Sequence, residues 1–203
     1  MRLIRLAAVI AGLVVSTQAA TIFSDGFNGA PLPGSFQTIF AGETTLSPWT
    51  VGGSVDWIGG YWQTAEGHGS VDMAGNGAGT LSTTLNTIAG QTYALSFYLA
   101  GNPDGGNQTK TLHVQVGTLP IPDFTFDTAG HGKGSMGWVL ETVNFTAVGN
   151  DNLTFTSGEG SSPWGPALDG VTVSSAAAVP EPASCALMLF GLAGMIAVFR
   201  RRR

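Results

Sequence analysis

The sequence predicts an all-β protein: an antiparallel β-sandwich carried between an N-terminal signal helix and a C-terminal transmembrane helix. Three observations lead there. Apolar and polar residues alternate with period 2 through most of the chain. Thirty glycines and ten prolines interrupt it at short intervals. No stretch between the two ends keeps a long helical period.

The alternation is plainest in QTYALSFYL (91–99), where Tyr93, Leu95, Phe97 and Leu99 share one face and Thr92, Ala94 and Ser96 the other. In KTLHVQV (110–116), Leu112, Val114 and Val116 alternate with Thr111, His113 and Gln115. Val139, Val143 and Phe145 repeat the pattern, followed by Leu153 with Phe155 and by Val171 with Val173. Each reads as a strand with one buried face, and roughly eight to ten such strands with Gly, Asn, Asp and Pro turns make a sandwich. The segment GSVDW (53–57) is echoed by GSVDM (69–73), both with Val and a large apolar residue on one face and Ser and Asp on the other. Two copies of five residues do not make a repeat protein.

The two ends have their own logic. Arg2 and Arg5 precede the apolar run LAAVIAGLVV (6–15) and the small residues STQAA, the three-part layout of a secretory signal peptide over residues 1–20. Residues 183–199 hold no charge and, at about 1.5 Å per helical residue, cover roughly 25 Å, enough to cross a bilayer core. Arg200, Arg201, Arg202 and Arg203 follow and would stay on the cytoplasmic side. The β-domain thus occupies residues 21–174, a linker 175–182, and the apolar helix with its basic end 183–203.

Charge narrows the partners. Between Thr21 and Val179, Lys110 and Lys133 stand against eight Asp and four Glu, a formal charge of −10. Such a domain repels phosphate backbones, so nucleic acid is excluded as a partner, while divalent cations and neutral polymers are compatible. The single cysteine, Cys185, lies in the apolar tail, so the exported part has no disulfide to form.

Val179, Pro180, Glu181 and Pro182 sit directly before the apolar run and the arginine cluster. In that order the last 25 or so residues resemble the PEP-CTERM sorting signal. The resemblance implies an exosortase-type processing enzyme as partner, with these residues as its recognition elements and the tail as a temporary membrane anchor. It further implies export and delivery to the cell surface or matrix of a bacterium that makes exopolysaccharide. The stretches 49–79, YALSFYLAGNPDGG (93–106) and LDGVTVS (168–174) resemble the choice-of-anchor C family of exported domains. That resemblance implies a galactose-binding-like jelly roll and no defined activity.

Asp169 shares strand parity with Val171 and Val173 and should point inward unless Gly170 makes a bulge. A carboxylate facing a core needs a partner: backbone N–H groups, a lysine or a metal ion. The jelly-roll resemblance implies a structural calcium, held by Asp169 with Asp25 and Asn28 of the 25–28 turn. The alternative is an Asp bonded to turn amides.

Tyr61 and Trp62 stand together in a glycine-flanked loop, with Trp49, Trp57 and Trp164 elsewhere. Flat rings with Gln, Asn or Asp nearby are suited to stacking on sugars, so Tyr61 and Trp62 are the expected ligand-binding pair, with at least one ring facing solvent. Trp49 and Trp57 read as core. Asp56, Glu66, Asp72 and Asp104 could supply a glycosidase pair, although no spacing selects one. His68, His113 and His131 lack metal-ligand spacing.

These features favour a non-catalytic protein that binds or organises extracellular polysaccharide. A self-assembling matrix protein is the alternative from a different class, and a glycan hydrolase the third.

Overall fold

The alternation resolves into thirteen strands in the computed structural model, which describes residues 19–106 and 108–176. They are β1 (Thr21–Asp25), β2 (Phe36–Phe40), β3 (Thr50–Gly52), β4 (Ser54–Ile58), β5 (Ser70–Asp72), β6 (Thr80–Thr84) and β7 (Thr92–Gly101). There follow β8 (Thr109–Val116), β9 (Leu119–Pro120), β10 (Phe124–Asp127), β11 (Val139–Thr146), β12 (Asn152–Ser157) and β13 (Pro166–Ser175). The count exceeds the expected eight to ten because β3, β5 and β9 have only two or three residues, too few to show alternation. Among the described residues the one helical element is a 3-10 turn at Pro103–Gly105.

The strands form two antiparallel sheets. One has seven strands in the order β11-β7-β13-β5-β4-β2, with β1 also paired to β13; the other has six in the order β10-β8-β12-β6-β3, with β9 on β8. Leu95, Phe97 and Leu99 of β7 join Leu112, Val114, Val116, Leu153 and Phe155 of the six-stranded sheet in one buried cluster. The rings of Phe97 and Phe155 meet edge to face at 5.2 Å, so the sheets interlock at their centres. Each such side chain contributes about 1.5–3 kcal/mol by leaving water. The unit Ala20–Ala176 closes around this core. The signal segment, the Pro-Glu-Pro motif and the apolar tail lie outside the described residues. Among the described residues no helix is long and apolar enough to cross a membrane.

Asp169 departs from simple parity. Leu168 pairs with Leu99 and Val173 with Leu95, both on the core face, while Asp169 pairs with Tyr98 on the opposite one. The register slips between Asp169 and Thr172, where Gly170 takes φ +54°. One extra residue on the bulged strand lets Leu168, Val171 and Val173 all point inward and turns Asp169 outward. There it is covered by the 63–68 loop, whose Ala65 and Glu66 amides donate to its Oδ2 at 2.9 and 3.0 Å; the Gly170 amide donates to Oδ1 at 2.7 Å. Burial pushes this carboxyl up to about 6, against the pull of the three amides.

Two outcomes follow from the bulge. A Cβ on Gly170 would meet Glu66 Cδ and a Tyr98 ring carbon at 2.9 Å, whereas one on Gly130, at φ +81°, would meet nothing within 4 Å. Gly170→Ala should therefore cost more than the about 1–2 kcal/mol of a left-handed residue, and Gly130→Ala no more than that, as read by urea unfolding. The native state holds the Asp169 proton more tightly than the unfolded chain does. Its stabilising effect is complete below the ordinary carboxyl value of 3.8 and is lost as pH rises through about 6. Thermal melts between those values and neutrality should show this decline, and Asp169→Asn should make it shallower.

Candidate functional site

The GSVD echo is a structural pair. β4 and β5 are antiparallel neighbours with Asp56 opposite Asp72, and β2 places Thr38 opposite Asp56. Directly opposed residues share a face. Val55, Trp57, Val71 and Met73 are buried, as the alternation requires of the inward set. Thr38, Asp56 and Asp72 thus form a polar row across three strands on the outer face of the seven-stranded sheet.

Loops fold over that row and leave a groove of about 220 Å³. Phe36, Tyr61 and Trp164 line it, with Asn76, Asn102 and Asp104 alongside the strand carboxylates. Phe36 and Trp164 are 46% and 41% exposed, so two of these rings stand open to solvent. Phe36 meets Tyr61 edge to face at 5.1 Å.

Three loops are held by one side chain. Asp72, fully buried, accepts from the Ala74 amide at 3.0 Å, the Gly165 amide at 3.0 Å and Asn102 Nδ2 at 2.7 Å. Burial pushes its carboxyl up to about 8; Asn102, Ala74 and Gly165 pull it down and the Asp56 charge pushes it further up. Partial burial also raises Asp56, opposed by the Thr38 hydroxyl that donates to its Oδ1 at 2.6 Å.

Tyr61 is fixed from two directions. Its hydroxyl donates to Asp104 Oδ2 at 2.5 Å. Lys133 Nζ lies 3.0 Å from the same oxygen and 3.9 Å from the centre of the Tyr61 ring. The ring is thereby ordered before any ligand arrives.

The expected stacking pair is split. Tyr61 is half-buried at the groove wall, but Trp62 is 5% exposed and its Nε1 donates to Ser70 Oγ at 2.9 Å. Trp62 lines the groove from within the packed structure and presents no open face, because the Ser70 hydroxyl offers its indole N–H an internal partner. Trp49 and Trp57 are buried in the core. Phe36 escaped notice in the sequence: in FQTIF it alternates with Gln37 and Ile39, and parity alone favours burying the two phenylalanines. Ile39 is buried instead, while Phe36 and Phe40 face out.

The residues expected to hold calcium each have hydrogen-bond partners within the protein. Asp25 accepts from the Phe27 amide at 2.8 Å and from Trp49 Nε1 at 2.7 Å. Asn28 Oδ1 accepts from the His68 and Gly69 amides at 2.6 and 2.9 Å. Asp169 holds the amides already described. Glu66 Oε1 packs against Gly26 and Gly170, where added Cβ atoms would lie 3.1 and 3.0 Å from it, so this carboxylate comes nearer the Asp169 site than parity or motif could tell. Among the described residues no group of three or more His, Cys, Asp or Glu side chains is placed to hold a metal ion. Of the four carboxylates considered for hydrolysis, Asp56, Asp72 and Asp104 share the groove and Glu66 does not. His113 is exposed and pairs with Asp123 at 2.6 Å.

Comparison with known proteins adds the chain's relationships. Residues 178–203 match the PEP-CTERM protein-sorting motif, which marks an exported protein sorted to the cell surface. Halomucin of Haloquadratum walsbyi is 28% identical over 155 residues, 74% of this chain; the chain spans about 2% of that protein's length. The CBM22-1 xylan-binding domain of Paenibacillus barcinonensis Xyn10C aligns with TM-score 0.49 and 13% identity, covering 81% of this chain and 100% of that domain. A CBM35 from the same organism aligns with TM-score 0.46 and 13% identity over 76% of this chain and 99% of that one. The exported domain matches a family described differently from the choice-of-anchor C name that its motifs resemble. Residues 22–174, most of the chain, match the family described as "Protein of unknown function (DUF642)", and the chain belongs to the DUF642 family.

Proposed function

We propose that this exported domain binds extracellular polysaccharide in the groove on the outer face of its seven-stranded sheet, without cleaving it. The observation that carries this reading is the combination of open Phe36 and Trp164 rings with an immobilised Tyr61 ring and hydrogen-bonding side chains between them. Sugars are recognised by stacking of their C–H faces on aromatic rings and by directional bonds to their hydroxyls. Among the described residues Asp56 Oδ1 accepts from Thr38 alone, and Asn76 adds an amide nearby, so both are suited to hydroxyl recognition.

Binding is favoured over hydrolysis by the state of the carboxylates. A glycosidase needs two that can reach the scissile bond. Asp72 is enclosed, with both oxygens engaged by N–H groups, and Asp104 is committed to Tyr61 and Lys133. Only Asp56 remains open to a sugar. A matrix-forming role has one observation in its favour: β11 ends its sheet with Val139 and Leu140 45% and 55% exposed, an edge onto which another copy could add. Concentration-dependent assembly in the absence of glycan would move the reading toward that role.

The polysaccharide made by the producing cells is the first ligand to titrate. Phe36→Ala and Trp164→Ala should each weaken binding by about tenfold, given about 1–3 kcal/mol per stacked ring, while leaving the melting temperature nearly unchanged. Undiminished affinity in both variants would remove the groove from the reading. Calcium belongs to the proposal as a structural ion, with Asp169, Asn28 and the adjacent Glu66 as its oxygen donors and Asp25 at the margin. Added calcium should then raise the melting temperature of the wild-type protein and leave that of Asp169→Asn unmoved; no rise in the wild type would retire the ion.

A further inference from the structure

We propose that the groove selects its saccharide by charge, taking a sugar with a protonated amine beside Asp56 and turning away uronic acids. This rests on the glycan-binding reading above and specifies the chemical class of the ligand.

The charges at this aromatic-walled cavity do not balance. Asp56, Asp72 and Asp104 all line it, and no cation is among the lining residues. Of the domain's two lysines, Lys110 is fully buried and turned to Gln108 and Glu159, with Nζ 2.9 and 3.4 Å from their oxygens. Lys133 is paired with Asp104 and lies over Tyr61. Asp104 is thus neutralised by its own partner, whereas among the described residues Asp56 has a hydroxyl donor and no cation. Asp72, its neighbour across the β4–β5 ladder, is pushed up to about 8 by burial and so is largely uncharged at neutral pH, which leaves Asp56 as the groove's carboxylate without a cationic partner among the described residues.

The buried side-chain polar atoms among the described residues all have hydrogen-bond partners, so the unmet demand of the groove lies at its open face, where Asp56 has no charge partner. What it can still gain is a positive charge at Asp56. Partial enclosure by Phe36 and the loops lowers the local dielectric, which strengthens both the attraction of an ammonium and the rejection of a carboxylate. The stacking walls are indifferent to charge and accept any pyranose face. Discrimination therefore falls to Asp56.

The test uses the full chain in mild detergent and three probes of equal length: fully deacetylated glucosamine oligosaccharide, its N-acetylated counterpart and oligogalacturonate. At low salt, and below the pKa of the amine, the deacetylated probe should bind roughly fivefold to tenfold tighter than the acetylated one, with oligogalacturonate weakest. The preference should shrink as salt screens the pair. Asp56→Asn should bring the ratio of the first two affinities to about one, and Asp56→Glu, which keeps the charge, should retain a ratio above one. The wild-type salt titration reads the same preference without relying on either variant's folding. Equal affinities in the wild type, a preference that survives Asp56→Asn, or tightest binding of oligogalacturonate overturns the proposal. Binding of the acetylated probe with no gain from the amine defeats charge selection and leaves glycan binding standing. Failure of all three probes defeats charge selection, and only the further failure of the producer's own polysaccharide defeats glycan binding.

Discussion

The Asp72 carboxylate accepts N–H groups from Ala74, Asn102 and Gly165, which belong to three loops far apart in the chain. Each loop carries a part of the groove: Asn76 follows Ala74, Asp104 follows Asn102, and Trp164 precedes Gly165. Removing an acceptor that three donors share would leave those donors unsatisfied inside the fold, at about 1–3 kcal/mol apiece. The cost of burying Asp72 is visible in its raised pKa. That cost is tolerated because one side chain fixes what would otherwise be three independent loop conformations.

A second layer of order rests on the first. Asn102 Oδ1 caps the Pro103–Gly105 turn through the Asp104 amide, which sets the direction of Asp104. Asp104 then receives the Tyr61 hydroxyl, and Lys133 closes over both. The chain of contacts runs from a buried strand residue to an aromatic ring at the groove wall, with each link made by a short polar side chain. A ring held this way keeps more of its stacking energy for a ligand, because little rotamer freedom is left to lose.

The sandwich itself was legible from alternation, since a sheet with one buried face repeats every second residue. The GSVD echo was also legible as two strands of like environment, although their pairing side by side was not. Alternation failed where its premise failed. At Gly170 a bulge shifts the parity, so Asp169 and Val171 lie on opposite faces although two residues apart. At Phe36 and Phe40 the outward face carries the larger rings, which inverts the usual assignment. Trp62 could not be separated from Tyr61, because the difference is a hydrogen bond to Ser70 across the loop. The groove as a whole was beyond reach, because its residues come from strands and loops spread over 36–164 and are brought together only by the tertiary fold.

Strand β13 has a mechanical consequence. It starts at Pro166, one residue after the Gly165 amide that Asp72 holds, and ends at Ser175, after which the sorting tail continues. Along the way it is bonded to β7 on one side and to β5 and then β1 on the other. A pull between a polymer held in the groove and a tether on the tail therefore runs along the strand for its ten residues, about 33 Å. Such a load strains the flanking ladders in shear, many hydrogen bonds together, rather than peeling them one by one from an end. On the proposed glycan-binding reading, a load passed from groove to tail would thus meet the ladders of β13 in their stronger direction.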